Sequence, residues 1–172
     1  MTGYEILSEL LDLPGMQVSD YQLQGREGIV VRIESVVPAA ICPHCQSLST
    51  ESRDFNEAVK VRDLALWQRR CWIEYRPQRF YCTSCSKLFN ERVVWRSVDY
   101  SYTHRYEEYI YERTRRESQA SVARDEGLSE EIVRGIFERW AKKQLPNGDS
   151  PMLKSSVATK LPHTKDMDAI AL

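Results

Sequence analysis

The sequence predicts an α+β fold in which a β-rich, cysteine-bearing half precedes a helical half. Three observations carry that prediction. Up to Arg96 the apolar residues alternate with polar ones in short runs rich in Val and Ile, the period of strands. Within that half stand two C-x-x-C pairs, Cys42-Pro43-His44-Cys45 and Cys82-Thr83-Ser84-Cys85, about 36 residues apart. After Arg96 the apolar spacing becomes helical and stays so to about Gln144.

Element by element, Tyr4 to Leu13 forms a short amphipathic helix with Leu7, Leu10 and Leu11 at helical spacing, and Pro14-Gly15 ends it. Met16 to Gln24 and Gly28 to Val37 are two strands around a Gly25-to-Gly28 turn. This hairpin runs directly into the first cysteine pair and is expected to pack against it. Between the pairs, Ala58 to Asp63 and Arg69 to Arg76 read as strands. Phe80-Tyr81 enters the second pair and Lys87 to Glu91 leaves it, the strand-knuckle-strand layout of a zinc ribbon.

Two knuckles offer four thiolates, Cys42, Cys45, Cys82 and Cys85, which fill the tetrahedral shell of one structural Zn2+ and leave no position open for water. The competing roles for such cysteines are disulfides or buried small hydrophobes. The first 13 residues contain no basic leader and carry Glu5, Glu9 and Asp12, which points to a reducing cytoplasm, where paired cysteines bind metal more often than each other. His44 lies inside the first knuckle, but four sulfurs already suffice. Cys71, in a strand, reads as a packed core thiol.

The helical half separates into three segments. Thr103 to Arg116 sets Tyr106, Tyr109, Ile110 and Arg113 along one side, with Thr103 as its cap. Ser118 to Glu126 follows, with Gly127 placed to close it in a left-handed conformation. Ser129 then begins Glu130 to Lys143, which places Ile132, Val133, Ile136, Phe137 and Trp140 on one side and Arg134, Glu138 and Arg139 on the other. A short helix with small residues, a Gly-Leu-Ser turn and a longer helix are the parts of a helix-turn-helix, although a plain helical hairpin shows much the same pattern. Glu130 and Glu131 oppose strong autonomous DNA binding, because they stand at the end that meets base edges.

Net charge is −1 over 172 residues, but it is unevenly spread. Residues 1–38 carry two basic and six acidic side chains, whereas 39–97 carry ten and six. In that segment Arg69, Arg70, Arg76 and Arg79 are interleaved with Trp67, Trp72, Tyr75, Phe80 and Tyr81, a mixture able to meet phosphates with guanidinium groups and bases or sugars with ring faces. A half-buried sheet with a solvated arginine face would look the same. No apolar run is long enough to span a membrane. The histidines at 44, 104 and 163 pair with no nucleophile at motif spacing, and no glycine-rich phosphate loop is present, so neither catalysis nor a small-molecule substrate is expected.

The order of parts resembles a known family. A β hairpin, C-P-H-C, Val61-Arg62-Asp63-Leu64, Arg79-Phe80-Tyr81-Cys82-Thr83-Ser84-Cys85 and a helix-turn-helix ending Ile136-Phe137-Glu138-Arg139-Trp140-Ala141 are similar to the N-terminal half of the ISL-three insertion-sequence transposases, over residues 16–145. The resemblance implies that Cys42, Cys45, Cys82 and Cys85 ligate zinc and that this half binds double-stranded DNA at transposon ends. In that family an RNase H-like domain with an Asp-Asp-Glu metal site follows. Only some 30 residues follow Trp140 here, and the close pair Asp166 and Asp168 is expected to be solvated, so a non-catalytic protein is expected.

The expected organisation is an N-terminal helix and hairpin over 1–38, a zinc ribbon over 39–97, a helix-turn-helix over 98–145 and a disordered tail over 146–172. DNA contacts are expected at Arg69, Arg70, Arg76, Arg79, Arg134 and Arg139, in a prokaryotic, nucleoid-associated setting, with a full-length transposase or a second copy of this chain as further partners. The alternatives are a zinc-stabilised protein-interaction adaptor, anchored by Tyr102, Tyr106, Tyr109 and Tyr111, or a truncated transposase fragment without a function.

Overall fold

The computed structural model describes residues 2–96 and 100–144; the expected tail, with Asp166 and Asp168, lies outside the described residues. The chain opens with α1 (Gly3–Leu11), fixed at its start by a capping box in which Thr2 and Glu5 exchange hydrogen bonds. Leu7 and Leu11 of α1 are buried. Asp12 takes a left-handed conformation at its end and turns the chain into the strands.

Nine strands follow among the described residues: β1 (Met16–Gln24), β2 (Gly28–Ser35), β3 (Ala40–Ile41), β4 (Leu48–Ser49), β5 (Glu51–Phe55), β6 (Val59–Leu66), β7 (Arg69–Tyr75), β8 (Gln78–Cys82) and β9 (Lys87–Asn90). They form a four-stranded sheet in the order β1-β2-β7-β6, a pair β3-β4 and a three-stranded sheet β5-β8-β9. The β2 and β7 strands run parallel, from Gly28 opposite Arg70 to Ile33 opposite Tyr75.

This pairing crosses the expected division at residue 38. The β6-β7 hairpin lies between the two cysteine pairs in sequence, yet it joins the N-terminal hairpin and leaves the knuckles to the smaller sheets. The physical reason is burial, since an isolated two-stranded hairpin is marginal in water. Ile29, Val31 and Ile33 of one hairpin and Val61, Cys71, Ile73 and Tyr75 of the other share a core with Leu7, Leu11 and Trp95.

Three helices complete the described chain: α2 (His104–Thr114), α3 (Gln119–Glu126) and α4 (Glu130–Gln144). They close a second core of Tyr106, Ile110, Val122, Ala123, Val133 and Ile136, against which Leu64 of β6 packs. Helices and sheet are joined through Arg62, whose guanidinium lies 5.1 Å from the centre of the Trp72 ring and 5.2 Å from that of Tyr106. Its backbone N–H donates to the Ser101 carbonyl, and its carbonyl accepts from Thr103 N–H. The segment ahead of α2 is thereby bonded to the edge of β6. No helix among the described residues is long and apolar enough to cross a membrane.

Candidate metal centre and nucleic-acid interface

Both knuckles bend in the same way. Gln46 and Ser86, each directly after the second cysteine of its pair, have positive φ values of 60° and 55°. In the first knuckle the Gln46 N–H donates to the Cys42 carbonyl, and Cys42 N–H donates to that of Ser47. These turns aim four sulfurs at one point. Cys42 Sγ stands 3.6 Å from Cys85 Sγ, Cys45 Sγ stands 3.5 Å from Cys82 Sγ, and all four lie within 4.8 Å of one another.

A tetrahedral zinc with Zn–S bonds of about 2.3 Å needs sulfurs about 3.8 Å apart, so the quartet fits one zinc ion. These separations are far beyond a disulfide bond, and all five cysteines are free. A hydrogen bond with the Ser47 side chain, more than any other contact, pulls the Cys45 thiol down to about 6. Cys85 is pushed up to about 12, first by burial and then by its neighbouring thiols. Thiolates held this close repel one another, and a dication among them removes that repulsion. His44 is exposed and stands outside the quartet. Beneath the sulfurs, Phe80 and Phe89 stack at 5.9 Å and form a small core with Cys42 and Cys82. Cys71 lies apart, fully buried in the large sheet, where burial pushes its thiol up to about 12.

The helix-turn-helix is closed by local hydrogen bonds. Ser118 caps α3 by accepting from Ser121 N–H. Gly127 ends it at φ 67°, and Leu128 N–H reaches back to the Ala123 carbonyl at 2.9 Å, the long bond of a Schellman turn. Ser129 Oγ then accepts from Ile132 N–H and starts α4. Glu130 and Glu131 are exposed in its first turn.

The six expected DNA-contacting arginines are not brought together. Arg69 and Arg70 begin β7: Arg69 Nη1 donates to the Gly25 carbonyl at 2.6 Å, and the Arg70 guanidinium lies against Gly127, 3.2 Å from where a Cβ there would stand. Arg76 follows the other end of β7, roughly 20 Å away along the strand. It lines a hollow of about 520 Å³ with Arg32, Phe55 and Glu74. Arg79 lies on β8 and faces Asp54 at 3.4 Å.

On α4, Arg134 is exposed, whereas Arg139 is turned inward, contrary to its expected place on the solvent side. Its Nη2 donates to the buried Glu107 carboxylate at 2.6 Å and its guanidinium covers the Tyr100 ring at 3.7 Å. Glu107 explains the difference, because a carboxylate at 2% exposure needs a cation and Trp140 Nε1 supplies only a neutral donor. The exposed arginines that sequence reasoning passed over include Arg26 in the β1-β2 turn and Arg124 on α3. For Arg26 the signal was its position in a turn; its neighbourhood to Arg69 required the parallel β2-β7 register.

A four-thiol zinc site joined to a helix-turn-helix defines a zinc-ribbon DNA-binding protein. The particular family is that of the ISL3 transposases, to which this chain belongs through both domains. The model described as the zinc-finger of transposase IS204/IS1001/IS1096/IS1165 matches residues 38–85. The helix-turn-helix domain of transposase family ISL3 matches residues 101–141. No curated protein and no solved structure matches the chain.

Proposed function

We propose that the chain recognises the ends of a transposon as double-stranded DNA, with α4 as the helix presented to the major groove. The observation that carries this reading is the helix-turn-helix match lying on α3, Gly127 and α4, a unit held to the sheet through Arg62 and Arg70. Arg134 would reach DNA from α4, and Arg69 and Arg70 would meet phosphates beside it. Arg139, committed to Glu107, takes no part in this reading. Cys42, Cys45, Cys82 and Cys85 hold zinc as a structural ion, and Arg76 and Arg79 contribute only if DNA extends across the ribbon. The described residues are assigned binding and no strand chemistry, in a prokaryotic cytoplasm, with a second copy of the chain or a full-length transposase as partner.

The adaptor alternative loses most of its anchors. Tyr106 is buried, Tyr102 stacks on it, and Tyr111 packs on Phe137 and Trp140. The test is a salt titration of zinc-loaded protein on the terminal repeat of an insertion element of this family and on a mixed-sequence duplex. The expected result is preference for the repeat and a slope that falls by about one for each phosphate-contacting arginine replaced by alanine. No binding to either duplex near physiological salt would overturn it.

A further inference from the structure

The tip of the β6-β7 hairpin is made by Trp67 and Gln68, with φ values of 48° and 65°. Two consecutive left-handed residues are what a two-residue hairpin turn of the twisted strands requires, and Asn-Gly or Asp-Gly makes it with least strain. Here an indole occupies the first position and is 72% exposed, the most exposed large apolar side chain among the described residues. Strain of this kind persists where the surroundings over-determine it and is concentrated at functional sites.

The surroundings of the tip are specific. Because β2 and β7 are parallel, the β1-β2 turn and the β6-β7 turn stand at the same end of the sheet. They are tied together by Arg69 Nη1 to the Gly25 carbonyl and by Arg70 N–H to the Glu27 carbonyl at 2.7 Å. Residues 25–28 and 66–70 contain Arg26, Arg69 and Arg70 against the single acid Glu27, so this end suits an anionic surface. Trp72, by contrast, is already covered by Lys60 and Arg62. The Arg70 guanidinium touches the helix-turn-helix turn at Gly127, and Trp67 lies within about 10 Å of Arg70 along the chain.

We propose that the Trp67 tip is a second DNA-contacting element, placing its indole in the minor groove beside the major groove that α4 reads. This inference rests on the DNA-binding reading above. Arg69 and Arg70 meet the phosphate row between the two grooves, and the minor groove, about 6 Å wide, admits the ring edge-on. An apolar wedge there partly unstacks a base step and kinks the duplex, which reads deformability at positions α4 never touches.

The test uses the full zinc-loaded chain and its Trp67→Asn and Trp67→Phe variants on terminal-repeat duplexes carrying 2-aminopurine at minor-groove steps beside the site that α4 reads. Asn suits a left-handed turn position, so Trp67→Asn is expected to melt no lower than the parent while binding about tenfold or more weakly, with an unchanged salt slope. Trp67→Phe should retain most of the affinity, and 2-aminopurine should brighten with the parent and not with Trp67→Asn. If the parent binds the repeat and Trp67→Asn binds and brightens it equally, the wedge is overturned and the DNA-binding reading stands. If the parent binds no duplex, both fall together.

Discussion

Arg105 grips Asp63 across the seam between the large sheet and the helices. Arg105 Nε donates to Asp63 Oδ1 at 2.8 Å and Nη2 bonds Oδ2, while Thr103 Oγ1 donates to Oδ1 at 2.7 Å. The remaining guanidinium nitrogen, Nη1, reaches the Leu11 carbonyl at the end of α1. Asp63 is 1% exposed, so a charge that would be costly alone is satisfied by three side-chain donors from the start of α2. Asp63→Ala leaves Arg105 half-buried without its partner and is expected to cost about 3 kcal/mol or more in urea unfolding. Asp63→Ala with Arg105→Ala should cost less than the two single losses added. A loss below about 1 kcal/mol for Asp63→Ala would mean that the seam is held by packing alone.

Chelation separates the two β regions. The knuckles sit on the small core of Cys42, Phe80, Cys82 and Phe89, whereas β6 and β7 belong to the large core under α1. Because metal free energy is folding free energy in so small a core, removing zinc is expected to melt β3, β4, β5, β8 and β9. The β1-β2-β7-β6 sheet should keep its amide protection. Thiol labelling of the chelated protein should modify four cysteines and spare Cys71, which is fully buried in that sheet. Loss of protection throughout 59–75 on chelation would make the ribbon and the sheet one cooperative unit.

Most elements were legible because their signals are local. Alternation in Gly28 to Glu34, Ser118 and Gly127 around α3, and the C-x-x-C spacing each state a local geometry, and each element lies within a few residues of its expected place. Strand partners were not legible in this way. Nothing in Arg69 to Tyr75 says that its neighbour is Gly28 to Ile33, more than 30 residues earlier, in place of the ribbon strand next in sequence. The same holds for Arg139: helical spacing put it on the polar face, and only the position of buried Glu107 on α2 turned it inward. The metal quartet was readable because all its ligands lie in two rigid turns. A DNA-facing surface depends on which sheet end meets which helix, which the linear order does not state.

Gly127 is constrained from two directions. Its φ of 67° strains any L side chain, and a Cβ would stand 3.2 Å from both terminal nitrogens of Arg70. Gly127→Ala is expected to destabilise by about 1–2 kcal/mol from the backbone alone. It should also displace Arg70 and weaken DNA binding. In an Arg70→Ala background the backbone cost should remain and the additional binding loss should disappear. Equal binding losses in both backgrounds would show that the guanidinium is not held by this contact.

Burial of Cys71 is expected to make the protein less stable in alkali. Its thiol is pushed up to about 12 by burial, with Asp63 adding to the effect, against an ordinary value of 9.0. The fold therefore keeps a proton that the unfolded chain releases. Below pH 9 the contribution is fully present; as pH rises further the unfolded chain is favoured, and the loss levels off only above about 12. Between pH 8 and 10 the expected loss from this thiol is about 1 kcal/mol, since each pH unit beyond the unfolded value counts for about 1.4 kcal/mol. Cys71→Val, which keeps an apolar side chain in the core and removes the titrating group, should lose that much less between the two pH values in urea unfolding of the zinc-loaded protein. Tyr75 and Tyr106, also raised by burial, act above pH 10 and are common to both chains. An identical pH 8-to-10 loss in Cys71→Val would mean that the thiol ionises as freely in the fold as in the unfolded chain.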